Sequence, residues 1–274
     1  MQKNTKTAIG AALAGSFLLG ALVVGYSAAQ QKEAAPKASH AQVSTSFSEL
    51  QEEEIGEIVR AYLMENPEVI IEAVNAYSVE QRMAEVERAK TAARENISLL
   101  LDPATSHVAG KKPESAKVAV IELYDYHCGY CKTAAGLVKD VVKKDADVKI
   151  VFRELPILRE ESAYAAEMAL AARDNDKFLD FHFDMLGSSG VLTKERVDGL
   201  ARKHGLDVKK MNAEIDSGSI PDMIEANHLL AQEMGVDGTP AFIVASTNGA
   251  FVDVMVGWSE ENLRAMINEA KKAG

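Results

Sequence analysis

The chain has 274 residues, 47% of them hydrophobic, with 41 Asp+Glu against 30 Lys+Arg and a formal net charge of −11. That length holds one large domain or two small ones, with a core that needs no disulfide staples. The acidic balance excludes a nucleic-acid protein, because phosphate binding draws on clustered Lys/Arg, and basic pairs such as Lys111-Lys112 and Lys143-Lys144 never extend into a patch.

Residues 1–29 read as an export signal: Lys3 and Lys6 form a basic start, residues 8–24 an uncharged apolar run, and Ser27-Ala28-Ala29 a small-residue cleavage site before Gln30. Removal of the two lysines takes the net charge from −11 to −13. The rival reading is an uncleaved membrane anchor over 8–26, since the run approaches the ~20 residues that span a bilayer. Either way the rest of the chain lies outside the cytoplasm, and a lysine start without an arginine run suggests bacterial export to an oxidising, periplasmic space. No later segment is apolar enough to cross a membrane.

Residues 30–47 are rich in Ala, Ser and Gln without apolar periodicity, which predicts a flexible linker. Ser46-Phe47-Ser48-Glu49 fits a capping box, and Leu50, Ile55, Ile58, Val59, Tyr62 and Leu63 follow at helical spacing. Asn66-Pro67 stops that helix and starts a second through Val69, Ile70, Ala73, Val74 and Tyr77; a third runs over 79–101 after a break at Ser78. The region 48–101 has too few large apolar residues for a core of its own, so it packs on something: its own domain as an N-terminal helical arm, or other copies as an oligomerisation stalk. Its imperfect heptads do not establish a coiled coil.

From Asp102-Pro103 the composition turns to strand and turn residues. Residues 106–109 predict an edge strand, 117–124 a buried strand, 128–144 a helix and 148–152 the next strand, a βαβ unit with a parallel pair. Helices follow over 163–172, 177–186, 193–204, 208–216 and 220–234. Strands at 241–245 and 251–256 flank the turn Thr247-Asn248-Gly249, and Ser259 caps a last helix to Ala270.

A lone Cys-x-x-Cys also serves as half a zinc site, but no other cysteine exists to complete one. His40, His107, His182, His204 and His228 are scattered without ligand spacing and read as ordinary surface or half-buried residues, so no metal site is expected. A pair placed where a strand turns into a helix is instead a redox dithiol. Unpaired N–H groups and the helix dipole favour a thiolate at the first sulfur, making Cys128 the exposed nucleophile and Cys131 the buried resolving thiol. His127 either adds positive charge beside the sulfur or points into solvent.

Gly238-Thr239-Pro240 precedes an apolar strand. A cis Thr239–Pro240 bond would leave the Thr239 backbone free to pair with a substrate strand; the alternative is a trans turn. Glu122, a carboxylate in an apolar strand six residues before Cys128, is either buried under Cys131 as a proton acceptor with a raised pKa, or turned to solvent.

The run Tyr124-Asp125-Tyr126-His127-Cys128-Gly129-Tyr130-Cys131, the helical stretch near 159–234 and Gly238-Thr239-Pro240 together resemble the exported DsbA-type thioredoxin-fold proteins over roughly 102–274. The resemblance implies an α/β thioredoxin fold with a helical insertion, preceded here by an N-terminal helical region. It carries catalytic roles onto Glu122, Cys128 and Cys131 and substrate contact onto Thr239 and Pro240, with Gly129, Tyr130 and His127 beside them. The family's strongest oxidases have Pro-His between the cysteines and valine before the cis-proline, whereas Gly129-Tyr130 and Thr239 are similar to the disulfide isomerase DsbC. Region 48–101 resembles the leading segment of ScsC-type proteins, some of which trimerise. The function implied is disulfide exchange on unfolded or wrongly bridged exported proteins, served by a membrane redox partner, with isomerase or reductase activity favoured over net oxidation and no dissociable cofactor. A copper-binding dithiol protein is the alternative of another class, motivated by soft thiolates and ten methionines, for which core packing is the plain explanation.

Overall fold

The computed structural model describes residues 47–274. The export signal or anchor, His40 and nearly all of the linker lie outside the described residues. The chain divides into two units, residues 1–62 and 63–274. Among the described residues no helix is long and apolar enough to cross a membrane.

Helix α1 (Glu49–Glu65) starts from a different box than the one expected at 46–49. Glu49 is itself the first helical residue, so Ser48 is the cap, and its backbone N–H donates to Gln51 Oε1 at 3.0 Å. Helix α1 buries none of its residues, and Leu50 and Ile58 are exposed. Helix α2 (Glu68–Glu95) follows Pro67, whose dihedrals are already helical. The break expected at Ser78 is absent: its hydroxyl donates to Val74 O at 2.8 Å, which satisfies it within the helix. A short helix α3 (Ile97–Leu100) ends the arm.

Five strands, β1 (His107–Gly110), β2 (Val118–Tyr124), β3 (Val148–Glu154), β4 (Ala241–Ser246) and β5 (Val252–Val256), form one sheet in the order β1-β3-β2-β4-β5. Only β2 and β3 are parallel, and α4 (Gly129–Lys144) supplies the crossover that a parallel pair requires. The insertion consists of α5 (Glu160–Ala171), α6 (Phe178–Gly187), α7 (Lys194–Lys203), α8 (Val208–Asp216) and α9 (Ser219–Glu233); α10 (Glu260–Ala273) closes the chain behind its Ser259 cap. This is the α/β thioredoxin arrangement with a helical insertion.

Strand β2 reads as continuous apolar sequence because both faces are covered. Val120, Tyr124, Phe152 and Phe242 face α4, α10 and the insertion. Ile121, Leu123, Val151 and Ile243 face the other side, where Leu230 of α9 joins Ala93 of α2 and Leu100 of α3. A boundary at 101/102 therefore falls inside the core, because the end of the arm completes it. The sequence concealed this: 93–101 offers a few small and aliphatic residues whose burial depends on the distant sheet.

Arg153 locks that junction. Its side chain is buried; Nε donates to Leu100 O at 2.8 Å, Nη1 to Asn227 Oδ1 at 2.7 Å, and Nη2 to Thr105 Oγ1 at 3.1 Å and to Leu99 O. Asn227 Nδ2 in turn donates to Glu154 O at 2.9 Å. Removing the fork orphans several buried acceptors at once. Arg153→Met is expected to lower unfolding free energy by about 3 kcal/mol and Arg153→Lys by somewhat less. Urea denaturation measures both, and an Arg153→Met variant as stable as the parent would contradict the role.

Candidate active site

The site begins where β2 ends. Asp125 is buried, and its carboxylate accepts four hydrogen bonds: from His127 N–H (2.7 Å), Ile157 N–H (2.9 Å), Leu158 N–H (2.9 Å) and Ser162 Oγ (2.8 Å). Asp125 O also accepts the Cys128 N–H at 3.0 Å. The turn so fixed makes Cys128 the cap of α4, its sulfur 3.4 Å from the Cys131 N–H. Both cysteines are free thiols and both are buried; Cys128, expected to be exposed, is 5% exposed because the Thr239-Pro240 loop lies over its sulfur.

The Thr239–Pro240 bond is cis, so the trans alternative is set aside. Its loop brings Thr239 O to 3.0 Å from Cys128 Sγ, across 111 residues of sequence. The thiol donates to that carbonyl. The Thr239 hydroxyl makes no hydrogen bond in this arrangement and is free to turn toward a thiolate.

Electrostatics separate the two sulfurs. The Cys131 thiol beside it is the largest influence pulling Cys128 down to about 5, against the opposing effect of burial; the Thr239 side chain and the N–H groups of Cys131 and Tyr130 assist. Burial pushes Cys131 far up, reinforced by its bond to Cys128 and by Glu122. At neutral pH the pair is one thiolate and one locked thiol. Glu122 is 1% exposed, so the solvent-facing alternative fails. Burial, with Cys128 adding to it, raises its carboxyl to about 8, and Oε1 has no partner.

His127 matches neither expectation. Its side chain is 4% exposed; Nε2 accepts the Leu192 N–H at 3.0 Å and Nδ1 lies 2.9 Å from Ser162 Oγ. Burial lowers its pKa, so it is a neutral strut between the redox turn and the insertion rather than a charge beside the sulfur, and it presents no surface to a substrate. Gly129 and Tyr130 are exposed, Tyr130 by 65%.

The sequence reading missed a second buried group. The register Glu122↔Phe152 and Tyr124↔Glu154 puts both carboxyls on one face of the parallel pair. Glu154 accepts from Tyr124 OH and, at 3.3 Å, from Tyr126 OH; Tyr126 OH lies 2.9 Å from His182 Nδ1. Burial holds Glu154 well above the usual carboxylate range and His182 down near 3, which favours the uncharged form of each. His182, read from sequence as ordinary, is fully buried. The available signal was Glu154 closing an apolar strand, as Glu122 interrupts one. Among the described residues no group of three or more His, Cys, Asp or Glu is placed to hold a metal ion. Met168, Met185, Met211, Met234 and Met266 are buried in the cores.

Comparison with known proteins bears on the family. A model of the DSBA-like thioredoxin domain matches residues 119–268. The chain belongs to that family. The N-terminal domain of the copper resistance protein ScsC matches residues 51–84. A thioredoxin-like oxidoreductase from Silicibacter pomeroyi is 35% identical with a TM-score of 0.57, over 65% of this chain and 98% of that one. BcfH of Salmonella enterica Typhimurium is 29% identical with a TM-score of 0.70, over 81% and 96%. The Na(+)/H(+) antiporter NhaA of Herminiimonas arsenicoxydans is 32% identical over 53% of this chain and 23% of its own length, so the chain spans about a quarter of that relative.

Two measurements check the electrostatics of this DsbA-like domain. Thiolate absorbance of the reduced protein is expected to titrate with a midpoint at about 5 and to vanish in Cys128→Ser. Because Glu122 holds its proton more tightly folded than unfolded, its own contribution to stability declines as pH rises from about 4.5 toward 8, while Cys128, held down at about 5, contributes the opposite slope. Glu122→Gln removes that decline and should raise stability at pH 7 by about 3 kcal/mol. An unchanged pH profile of unfolding would refute the assignment.

Proposed function

We propose that the chain is an exported, periplasmic thiol-disulfide oxidoreductase that rearranges or reduces wrong disulfides in exported proteins in preference to forming new ones. The observation that carries this reading is a thiolate-prone Cys128 and a proton-locked Cys131 facing the Thr239-Pro240 loop. Cys128 thiolate attacks one sulfur of a client disulfide, forming a mixed disulfide and expelling the other client sulfur as thiolate. A second client thiolate then attacks the client sulfur of the mixed disulfide and restores Cys128, giving isomerisation with no net electron transfer. Alternatively Cys131 gives its proton to Glu122 and attacks Cys128 Sγ; the client leaves reduced, and Cys128–Cys131 becomes a disulfide that a membrane redox partner returns to the dithiol. Net oxidation is the same sequence reversed.

The Thr239 N–H bonds to no protein group among the described residues and can pair with a client strand beside Pro240. Exposed Gly129 and Tyr130 border the same sulfur. The identities of Gly129-Tyr130 and Thr239, in place of the oxidase pattern, favour isomerisation. So does assembly: Val69, Ile70, Val74 and Tyr77 are exposed on α2, and this face is proposed to join copies through 48–101, placing several Cys128 thiolates around one client. Copper binding by the dithiol is the second reading, favoured by the matched family's name.

Reactivation of scrambled ribonuclease tests the proposal. The full chain is expected to restore activity as an oligomer, and the double variant Ile70→Glu/Val74→Glu to be a monomer about fivefold slower while still reducing disulfides. Oxidation of reduced ribonuclease without reactivation of the scrambled form would make it an oxidase. Stoichiometric Cu(I) binding lost in Cys128→Ser, with no exchange by the parent, would replace the enzyme by the copper reading.

A further inference from the structure

The sheet has an open edge beside the cis-proline loop. Gly257 N–H donates to Pro240 O at 2.8 Å, and Ala241 opposes Val256, so Gly257 and Pro240 occupy a hydrogen-bonded position of the antiparallel pair. Alternation then turns the backbone groups of Asp253 and Met255 inward to β4 and those of Val254 and Val256 outward. The Val254 N–H is taken by Asp253 Oδ1 at 2.9 Å; the Val256 N–H has no protein partner among the described residues.

Helix α2 runs along this edge, tied to it by Lys90 and Asp253 at 3.1 Å, and leaves a groove of about 740 Å³. Val86 and Ala89 form one wall, Val254 and Val256 the other, with Met234 and Asp237 between them. Val256 is half exposed, and its Cγ1 lies 3.8 Å from where a Cβ on Gly238 would stand. The groove therefore starts at the Gly238-Thr239-Pro240 loop, whose Thr239 carbonyl contacts the Cys128 sulfur.

We propose that this groove docks an extended client segment, which adds a strand to the edge at Val254–Val256 while a client cysteine is bonded to Cys128. The inference rests on the function proposed above and names where the rest of the client lies. Three features select this occupant. The free Val256 N–H and the outward carbonyls of Val254 and Val256 call for another backbone, not a side chain. Valine and alanine walls suit the alternating apolar side chains of a strand, which folded proteins bury and misfolded ones expose. The groove wall from Arg82 to Ala89 rises about 10 Å, the reach of about three extended residues. Both charge signs line it, Arg82 and Glu85 on α2 and Asp237 before the Gly238-Thr239-Pro240 loop, so recognition falls on backbone and apolar groups rather than on a charged motif.

The test compares a long and a short substrate on the full-length protein. Ala89→Trp fills the groove from the helix side, and Val256→Pro removes the outward N–H at a position the ladder does not use. For scrambled ribonuclease, kcat/KM is expected to fall about tenfold in each variant, while for glutathione disulfide, too short to reach the groove, it should stay within about twofold. Retained glutathione exchange reports a folded site. Unchanged ribonuclease rates, or equal losses on both substrates, overturn the inference. So does a lower mass in solution for Ala89→Trp, which would put a second copy in the groove, or faster proteolysis of residues 30–46 in that variant, which would put the chain's own leading segment there. A parent protein that exchanges with neither substrate refutes the proposed function itself.

Discussion

Four donors converge on the buried carboxylate of Asp125, and the redox turn takes its shape from them. A buried anion is tolerated only when its lone pairs are filled, so the main chain at 127, 157 and 158 and the Ser162 hydroxyl are held where the carboxylate needs them. That constraint sets Cys128 at the mouth of α4, where its sulfur meets the N–H of Cys131. It also recruits His127, which passes the same order on to Leu192. The helical insertion is therefore joined to the dithiol through hydrogen bonds as well as by apolar packing.

Beneath the turn, the parallel pair of strands carries two carboxyls on one buried face. Glu122 lies near the sulfurs and titrates near neutrality, which suits a group that exchanges a proton with Cys131. Glu154 accepts from two tyrosines, one of which also meets His182, and burial holds its carboxyl well above the usual range. Low dielectric acts on both, but only Glu122 is coupled to a thiolate. The same residue type thus takes two characters two positions apart in the ladder.

On the opposite face, Arg153 binds the end of the arm through the Leu99 and Leu100 carbonyls and α9 through the Asn227 amide, with Asp102 supporting its charge. The end of the arm is consequently part of the domain core. The beginning of α2 has no such anchor and keeps its apolar face open, while the stretch between them borders the edge strand. One continuous helix serves three environments because Ser78 is absorbed into it instead of breaking it.

Much was legible in the order of residues alone. The Cys-Gly-Tyr-Cys run at a strand-to-helix turn, the Gly-Thr-Pro loop before an apolar strand, the parallel unit and the helical insertion each have local signatures, since caps, turns and strand alternation depend on near neighbours. Periodicity also located α1 and α2, although the cap fell two residues late, because Ser46 and Ser48 both satisfy the same pattern. Charge state was not legible. Whether Glu122 is buried, whether His127 is charged, that His182 and Glu154 share a buried group, and that 93–101 belongs to the core were all decided by tertiary structure. The physical reason is that a pKa follows desolvation and the groups within a few ångströms, and here those groups arrive from as far as 111 residues away. The sequence by itself placed two cysteines one turn apart at a strand-to-helix junction opposite a Gly-Thr-Pro loop; the fold decided which groups surround them and where the protons are held.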